Sequence, residues 1–181
     1  MTDQFSILRL VAERLDAAGL RYMLTGSIAA GYYAQPRMTR DIDLVVEVAP
    51  ADAERLAAAF SRDFVVNLEA IRAAILRQGL FNLIHVEAVT KVDFVVRKDV
   101  PYRLEEFRRR RRVEIGGSPF WIVSPEDLIL SKLVWAKTSR SELQLRDVRQ
   151  LLAAVEALDQ AYLEQWAGEL TVIDLLREVK A

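Results

Sequence analysis

The sequence contains no cysteine, a single histidine and no long apolar run. Without cysteine there is no disulfide framework and no zinc site built from thiolates, and one histidine excludes sites that need several imidazoles. No apolar stretch approaches the roughly 20 residues that cross a bilayer, and the first residues lack the features of a signal peptide. We therefore expect a cytoplasmic protein with no membrane partner.

Neither sign of charge dominates the 181-residue chain, whose formal net charge is −1 at pH 7. Such a balance provides no general attraction to nucleic acid, so any contact with RNA must be local. Strand and helix patterns are mixed up to residue 123, and only helical patterns follow. We predict an α+β fold, with a mixed β-sheet core at 1–123 and a C-terminal helical bundle at 124–181 packed on it.

The most informative stretch runs from Leu24 to Val48. Its pattern predicts a short strand, a Gly-Ser turn, a helix of small residues and a second strand that contains Asp41 and Asp43. Because side chains alternate along a strand, both carboxylates point to one face of the sheet. Two adjacent carboxylates repel each other unless a cation lies between them, and a divalent ion that prefers oxygen ligands, such as Mg²⁺, meets that need.

The Gly-Ser turn consists of Gly26 and Ser27, directly ahead of the predicted helix. Gly26 lets the backbone approach a ligand closely. Ser27 is expected to cap the helix, whose free N–H groups and dipole favour a phosphate. Each motif alone also occurs as an ordinary turn or a solvated strand face, but together they predict an anion site beside two carboxylates.

The spacing between Gly26-Ser27 and Asp41-Ile42-Asp43 closely resembles the signature of the polymerase-β-like nucleotidyltransferase superfamily. The Arg37–Asp41 lead-in resembles the small bacterial members of that superfamily, the AbiEii-type toxins. The resemblance covers the first hundred residues with specific motifs and the remainder only loosely. It implies a nucleotidyltransferase fold and a third carboxylate on a neighbouring strand.

Asp93 is the candidate for this third carboxylate. It lies in the second of two β-rich runs, Phe81–Ala88 and Lys91–Arg97, which predict an antiparallel hairpin. An unpaired carboxylate inside an apolar run is costly and needs a reason. Asp93 is therefore favoured over its neighbours Glu87 and Asp99.

Lys132 and Asp147 lie on the apolar faces of two successive predicted helices. A lysine and an aspartate in such places should pair with each other or serve a ligand. One interpretation is a salt bridge that ties the helices together. The resemblance implies the other, because AbiEii-type toxins place a lysine and an aspartate from this region in the active site. If that holds, Lys132 should be solvated in the empty protein.

The resemblance implies a metal-dependent enzyme that moves a nucleoside monophosphate from ATP or another triphosphate to an acceptor hydroxyl. The implied ligands of two Mg²⁺ ions are Asp41, Asp43 and Asp93, of which Asp93 would also be the base. The implied phosphate-binding residues are Gly26, Ser27, Arg37 and Arg40. Lys132 would contact the triphosphate, and Asp147 would orient Lys132. The implied acceptor is tRNA or a protein, in a toxin–antitoxin or phage-defence pair with a cognate antitoxin.

Two further hypotheses fit the sequence. An enzyme that modifies an antibiotic hydroxyl would keep this site and change the acceptor pocket. A nucleotidyltransferase-like binding module would have lost turnover, although such a module has no reason to retain repelling carboxylates. Outside the motifs, the run Arg108–Arg112 predicts an RNA contact or a solvated helix end with equal weight. His85 and the three tryptophans Trp121, Trp135 and Trp166 are interpreted as structural, core or interface residues.

Overall fold

The computed structural model describes residues 4–139 and 141–180. The elements in chain order up to residue 96 are α1 (Gln4–Ala17), β1 (Arg21–Leu24), α2 (Gly26–Tyr33), β2 (Asp41–Glu47), a 3₁₀ turn (Pro50–Asp52), α3 (Ala53–Phe60), β3 (Phe64–Val65), α4 (Leu68–Arg77), β4 (Leu80–His85) and β5 (Lys91–Val96). The remaining elements are α5 (Pro101–Arg108), β6 (Arg111–Ile115), β7 (Ser118–Ile122), α6 (Pro125–Ser139), α7 (Glu142–Ala154), α8 (Gln160–Glu169) and α9 (Ile173–Lys180). The predicted α+β class is confirmed.

Within the described residues, seven strands form one mixed sheet in the order β3-β4-β5-β2-β1-β7-β6. The pairs β2–β5 and β1–β7 are parallel, and the other neighbours are antiparallel. The predicted hairpin is confirmed as β4 and β5, although β4 ends at His85 because a turn occupies residues 86–88. The sequence did not predict that β5 would lie parallel to β2.

Strict alternation in β2 sorts its side chains between two faces. Ile42, Leu44 and Val46 are fully buried against the core, whereas Asp41 and Asp43 on the opposite face are only partly covered. This is the pattern expected of a strand with one face in the core. The face that carries the aspartates is therefore open to other parts of the chain and to ligands.

The four C-terminal helices share one hydrophobic cluster with the sheet. The first half of α6 is buried on almost every side, with Leu128, Ile129, Leu130 and Leu133 at 0–1% exposure. Because α6 packs between the sheet and the later helices, it brings its side chains close to both. The domain boundary near residue 123 stays a prediction. Among the described helices, none is long and apolar enough to span a membrane.

A set of buried charges, here called the charged joint, connects α5, α6 and α8. Arg109 lies 3.2 Å from both the Oδ2 atom of Asp127 and the Oε2 atom of Glu126, and its guanidinium stacks 3.8 Å from the ring centroid of Tyr162. Tyr162 donates a 2.7 Å hydrogen bond to Asp127, and the Ser124 hydroxyl donates one of 2.6 Å. Both acids are at most 1% exposed, so each buried charge has a partner.

The arginine run at 108–112 is mostly engaged within the molecule. Arg108 pairs with Glu105, and Arg109 and Arg111 pair with Glu126. Arg110 lies over the rings of Phe107 and Trp121, and Arg112 lies over Trp121 as well. These contacts give the run a role within the fold, whereas the sequence predicted either an RNA contact or a solvated helix end.

Candidate active site

The three predicted carboxylates lie on one face of the sheet. Asp41 and Asp43 are two residues apart on β2, and Asp93 of β5 is directly in register with Asp43. Asp93 is 8% exposed, so its carboxylate is largely removed from water. We call Asp41, Asp43 and Asp93 the carboxylate face.

The electrostatics of the carboxylate face are unfavourable for negative charge. Burial raises the pKa of Asp43 above its ordinary value, and the charges of Asp93 and Asp41 raise it further. Lys91 donates a 2.7 Å hydrogen bond to the Oδ2 atom of Asp93, and this bond raises the pKa of Lys91. This ion pair was not predicted, although residues 91 and 93 share a strand face.

The residues present fit a bound cation, but they are not already arranged as a finished metal site. The Oδ1 atom of Asp93 is buried without a hydrogen-bond partner, which leaves an oxygen ligand free. Across residues 4–139 and 141–180, no three acidic or imidazole side chains converge closely enough to hold a metal ion. A cation at this place would have to compete with the Lys91 ammonium and draw the three carboxylates closer together.

Gly26 lies directly against Asp43. Its φ angle is +66°, and a Cβ atom at this position would fall 2.0 Å from the Oδ2 atom of Asp43. The backbone N–H of Thr25 donates a 2.9 Å hydrogen bond to the carbonyl of Asp43. Only glycine fits both the backbone conformation and the space, so the start of α2 is held beside the carboxylate face.

The expected cap of α2 is wrong in detail. The helix begins at Gly26 rather than after Ser27, so Ser27 lies inside its first turn, and Thr25 holds the N-cap position without a side-chain cap bond. The Ser27 hydroxyl instead accepts a short hydrogen bond from Arg37. The first N–H groups of the helix therefore remain without a side-chain cap among the described residues, as an anion site requires.

Arg37 connects the start of α2 to the C-terminal helices. Besides its bond to Ser27, its Nε atom lies 3.3 Å from the Oδ1 atom of Asp147 on α7. Arg40, in contrast, is exposed and forms no hydrogen bond or ion pair with the rest of the described chain. The structure thus brings Arg37 to the predicted site and does not bring Arg40 into contact with it.

Lys132 and Asp147 form an ion pair of 2.7 Å, and Lys132 also donates a 3.1 Å hydrogen bond to Gln144. Their side chains are 5% and 2% exposed. The expectation that Lys132 is solvated in the empty protein is therefore wrong, because α7 covers it. The pair is still close to the carboxylate face, since the charge of Lys132 partly offsets the raised pKa of Asp43.

The fold and the carboxylate face define a nucleotidyltransferase, and comparisons with known proteins agree. The chain belongs to the AbiEii family, described as the nucleotidyl transferase AbiEii toxin of a type IV toxin–antitoxin system, whose family model matches residues 13–170. This confirms the resemblance drawn from the motifs. A search of curated proteins finds no match to the sequence.

Solved structures with the same fold are distant in sequence. The antibiotic-resistance factor ANT(2'')-Ia, in complex with adenylyl-2''-tobramycin, aligns with a TM-score of 0.59 at 15% identity, over 93% of this chain and 97% of that one. An antigenic nucleotidyltransferase-like protein from Paracoccidioides brasiliensis gives 0.56 at 19% identity, over 97% and 91%. The lincosamide antibiotic adenylyltransferase LnuA gives 0.56 at 12%, over 83% and 95%. At these identities the likeness establishes the fold.

Proposed function

We propose that this enzyme transfers a nucleoside monophosphate from a nucleoside triphosphate to a hydroxyl group of an RNA or protein acceptor. One observation carries the proposal. Asp43 and Asp93 stand in register on parallel strands, and Gly26 holds the start of α2 against Asp43. Repelling carboxylates beside a helix N-terminus suit the transfer of a phosphoryl group and have no structural use.

Nucleotidyltransferases generally use a divalent metal together with the triphosphate. Here Asp41, Asp43 and Asp93 would hold it, as one or two Mg²⁺ ions. The metal would neutralise charge on the triphosphate as the bond to the leaving pyrophosphate breaks. The free Oδ1 atom of Asp93 supports this assignment because it is an oxygen available to a cation. The raised pKa of Asp43 supports it too, because burial and then the charges of Asp93 and Asp41 disfavour the ionised form until a cation is bound.

The other residues of the site would bind the triphosphate and orient it for attack. The N–H groups at the start of α2 and the Ser27 hydroxyl would hold the outer phosphates, with Arg37 as cationic cover. Lys132 would turn from Asp147 towards the triphosphate, while Asp147 keeps its contact with Arg37. Asp93 would accept the proton from the attacking hydroxyl once the Lys91 ammonium releases its Oδ2 atom.

The proposed acceptor is suggested by the family rather than by the geometry. Membership of a type IV toxin–antitoxin family implies an antitoxin partner, and a macromolecular target suits a toxin. The sheet beside Asp93 supports such a target, because Leu80 and Ile84 of β4 lie 52% and 39% exposed on the same face. An antibiotic acceptor, as in the tobramycin complex of ANT(2'')-Ia, is the second candidate and is tested in parallel.

The test has a binding step and a transfer step. Each of the four triphosphates with Mg²⁺ should raise the melting temperature if it binds the folded state. Labelled triphosphates are then incubated with total RNA, cell lysate and aminoglycosides, and the labelled product is identified. Asp43→Asn should lower transfer by roughly 10²–10³-fold. Asp174→Asn, a change at a 95%-exposed carboxylate, is the matched control. If no triphosphate shows either binding or transfer, the proposal is disproved.

A further inference from the structure

A cavity of about 390 Å³ opens beside the carboxylate face, between the sheet and helices α5 and α6. Val45 and Val95 form part of its floor, and Val134 and Trp135 of α6 form part of its wall. Thr25, the residue before Gly26, closes one end. This volume is in the range of small-molecule sites, and the walls are mainly apolar with a few polar groups, as such sites usually are.

The floor of the cavity is a direct continuation of the carboxylate face. Val45 and Val95 are in register with each other and follow Asp43 and Asp93 by two residues on the same sheet face. Two residues along a strand correspond to about 7 Å, roughly the reach of a ribose. A phosphate at the carboxylates would therefore place the sugar and base of its nucleotide over the two valines.

Trp135 provides an aromatic wall that the fold itself does not use. The residue lies one turn beyond Lys132 on α6 and is 64% exposed. Among the described residues, neither a second ring nor a cation packs on its indole, whereas Trp121 lies under arginines and Trp166 lies against Tyr102 and Tyr162. Of the three tryptophans interpreted as core or interface residues, Trp135 is therefore not in the core of this chain.

Arg103 adds hydrogen-bonding capacity at the same cavity. A single terminal nitrogen makes all its bonds, 2.8 and 2.9 Å to Glu106 and 2.7 Å to Ser131. The guanidinium is thereby fixed in place, and its other N–H groups have no partner in the described part of the chain. A fixed, planar set of donors beside an aromatic wall suits the carbonyl and ring-nitrogen atoms of a nucleobase.

We propose that this cavity binds the sugar and base of the triphosphate, with Trp135 stacked on the base and Arg103 bonded to its edge. The inference rests on the proposed function, because it takes the position of the phosphates from that site. The acceptor is assigned elsewhere for two reasons. A cavity of this size does not admit RNA or protein, and the open approach to Asp93 lies over β4, where Asn82 is in register with Asp93.

The experiment measures binding, without any acceptor, for four proteins. Wild type, Trp135→Ala, Trp135→Phe and Trp121→Phe are titrated with each nucleoside triphosphate and with inorganic tripolyphosphate, all with Mg²⁺. Binding is followed by calorimetry and by quenching of tryptophan fluorescence. Trp135→Ala should weaken binding of the preferred nucleotide by roughly five- to hundred-fold, which corresponds to the loss of one stacking contact with a base. Tripolyphosphate binding should not change, and Trp135→Phe should restore most of the nucleotide affinity.

The outcomes separate this inference from the proposed function. Equal nucleotide affinity in wild type and Trp135→Ala, with tripolyphosphate still bound, would overturn the base site and leave the proposed function standing. No binding of nucleotide or tripolyphosphate to wild type would overturn both. Quenching that persists in Trp121→Phe and disappears in Trp135→Phe would support the assignment to Trp135.

Discussion

The charged joint and the carboxylate face place acidic side chains in opposite circumstances. In the charged joint, Glu126 and Asp127 are more deeply buried than any acid of the carboxylate face, yet each has an arginine and a hydrogen-bond donor beside it. On the carboxylate face, Asp43 has two carboxylates as neighbours, and Asp93 keeps one oxygen unpaired. Burial raises the pKa of both Asp127 and Asp43, but Ser124, Tyr162 and Arg109 oppose the rise at Asp127, whereas Asp93 and Asp41 add to it at Asp43. This difference fits the proposal that a ligand completes the carboxylate face.

The buried pair Lys132–Asp147 lies between these two cases. Its side chains are nearly as deeply buried as the acids of the charged joint. Asp147 nevertheless pairs with Arg37, which donates a hydrogen bond to Ser27, and the charge of Lys132 lowers the pKa of Asp43. Burial alone therefore does not separate structural from functional charges. Measuring stability and activity on the same variants does, and the following predictions use that combination.

The largest effect on stability is expected in the charged joint. Asp127→Ala removes the partner of Arg109, Ser124 and Tyr162, so the free energy of unfolding should fall by about 3–5 kcal/mol. Denaturant unfolding measures this change. Transfer activity per folded molecule should stay normal. A loss under 1 kcal/mol would show that the joint is not structural.

Lys132→Met should lower both stability and activity. We expect a loss of about 3 kcal/mol, at the low end for a buried pair, because Arg37 still neutralises Asp147. Adding Asp147→Asn should recover part of that stability, since no charge is then left unpaired, but it should not recover transfer. Full activity in the folded fraction of Lys132→Met would make the pair purely structural.

Asp43→Asn should stabilise the protein at neutral pH. Because its pKa is raised in the folded state, the ionised form of Asp43 disfavours folding, and that cost appears as the pH rises through the raised pKa. A neutral amide removes it, so the melting temperature should rise by roughly 2–4 °C, as about 1 kcal/mol does at this size. The gain should shrink as the pH is lowered, because wild-type Asp43 then becomes protonated. A gain that does not depend on pH would point to another cause.

Arg108→Ala should have the smallest effect. The residue is exposed, and its ion pair with Glu105 joins neighbouring turns of one helix, an arrangement that contributes little. The melting temperature and nucleotide binding should both stay unchanged within error. A selective loss of RNA binding in a gel-shift assay would revive the nucleic-acid interpretation of the arginine run.

The site was predictable where local rules set the direction of side chains. Alternation along a strand is enough to put Asp41 and Asp43 on one face, and the apolar run around Asp93 indicates a second strand. The helical spacing of Lys132 and Asp147 likewise gives two buried faces. In each case the repeat of a single strand or helix is enough to set the direction of the side chain.

Contacts between distant elements could not be predicted in this way. The register of Asp43 with Asp93 depends on a parallel pairing, which no local pattern specifies. Arg37 meets Asp147 across 110 residues of sequence. The exposure of Trp135 depends on which side of α6 the sheet and α7 cover. These are results of packing, and helix propensity carries no information about them.

The position of Asp147 on α7 determines the stage of synthesis at which its contacts with Arg37 and Lys132 can form. Because α7 supplies Asp147, a chain that has grown only as far as α6 carries the carboxylates and the start of α2 but lacks the cover of Lys132. Synthesis proceeds from the N-terminus at about 5–20 residues per second. Asp147 can therefore pair with Lys132 and Arg37 only after α7 has been synthesised.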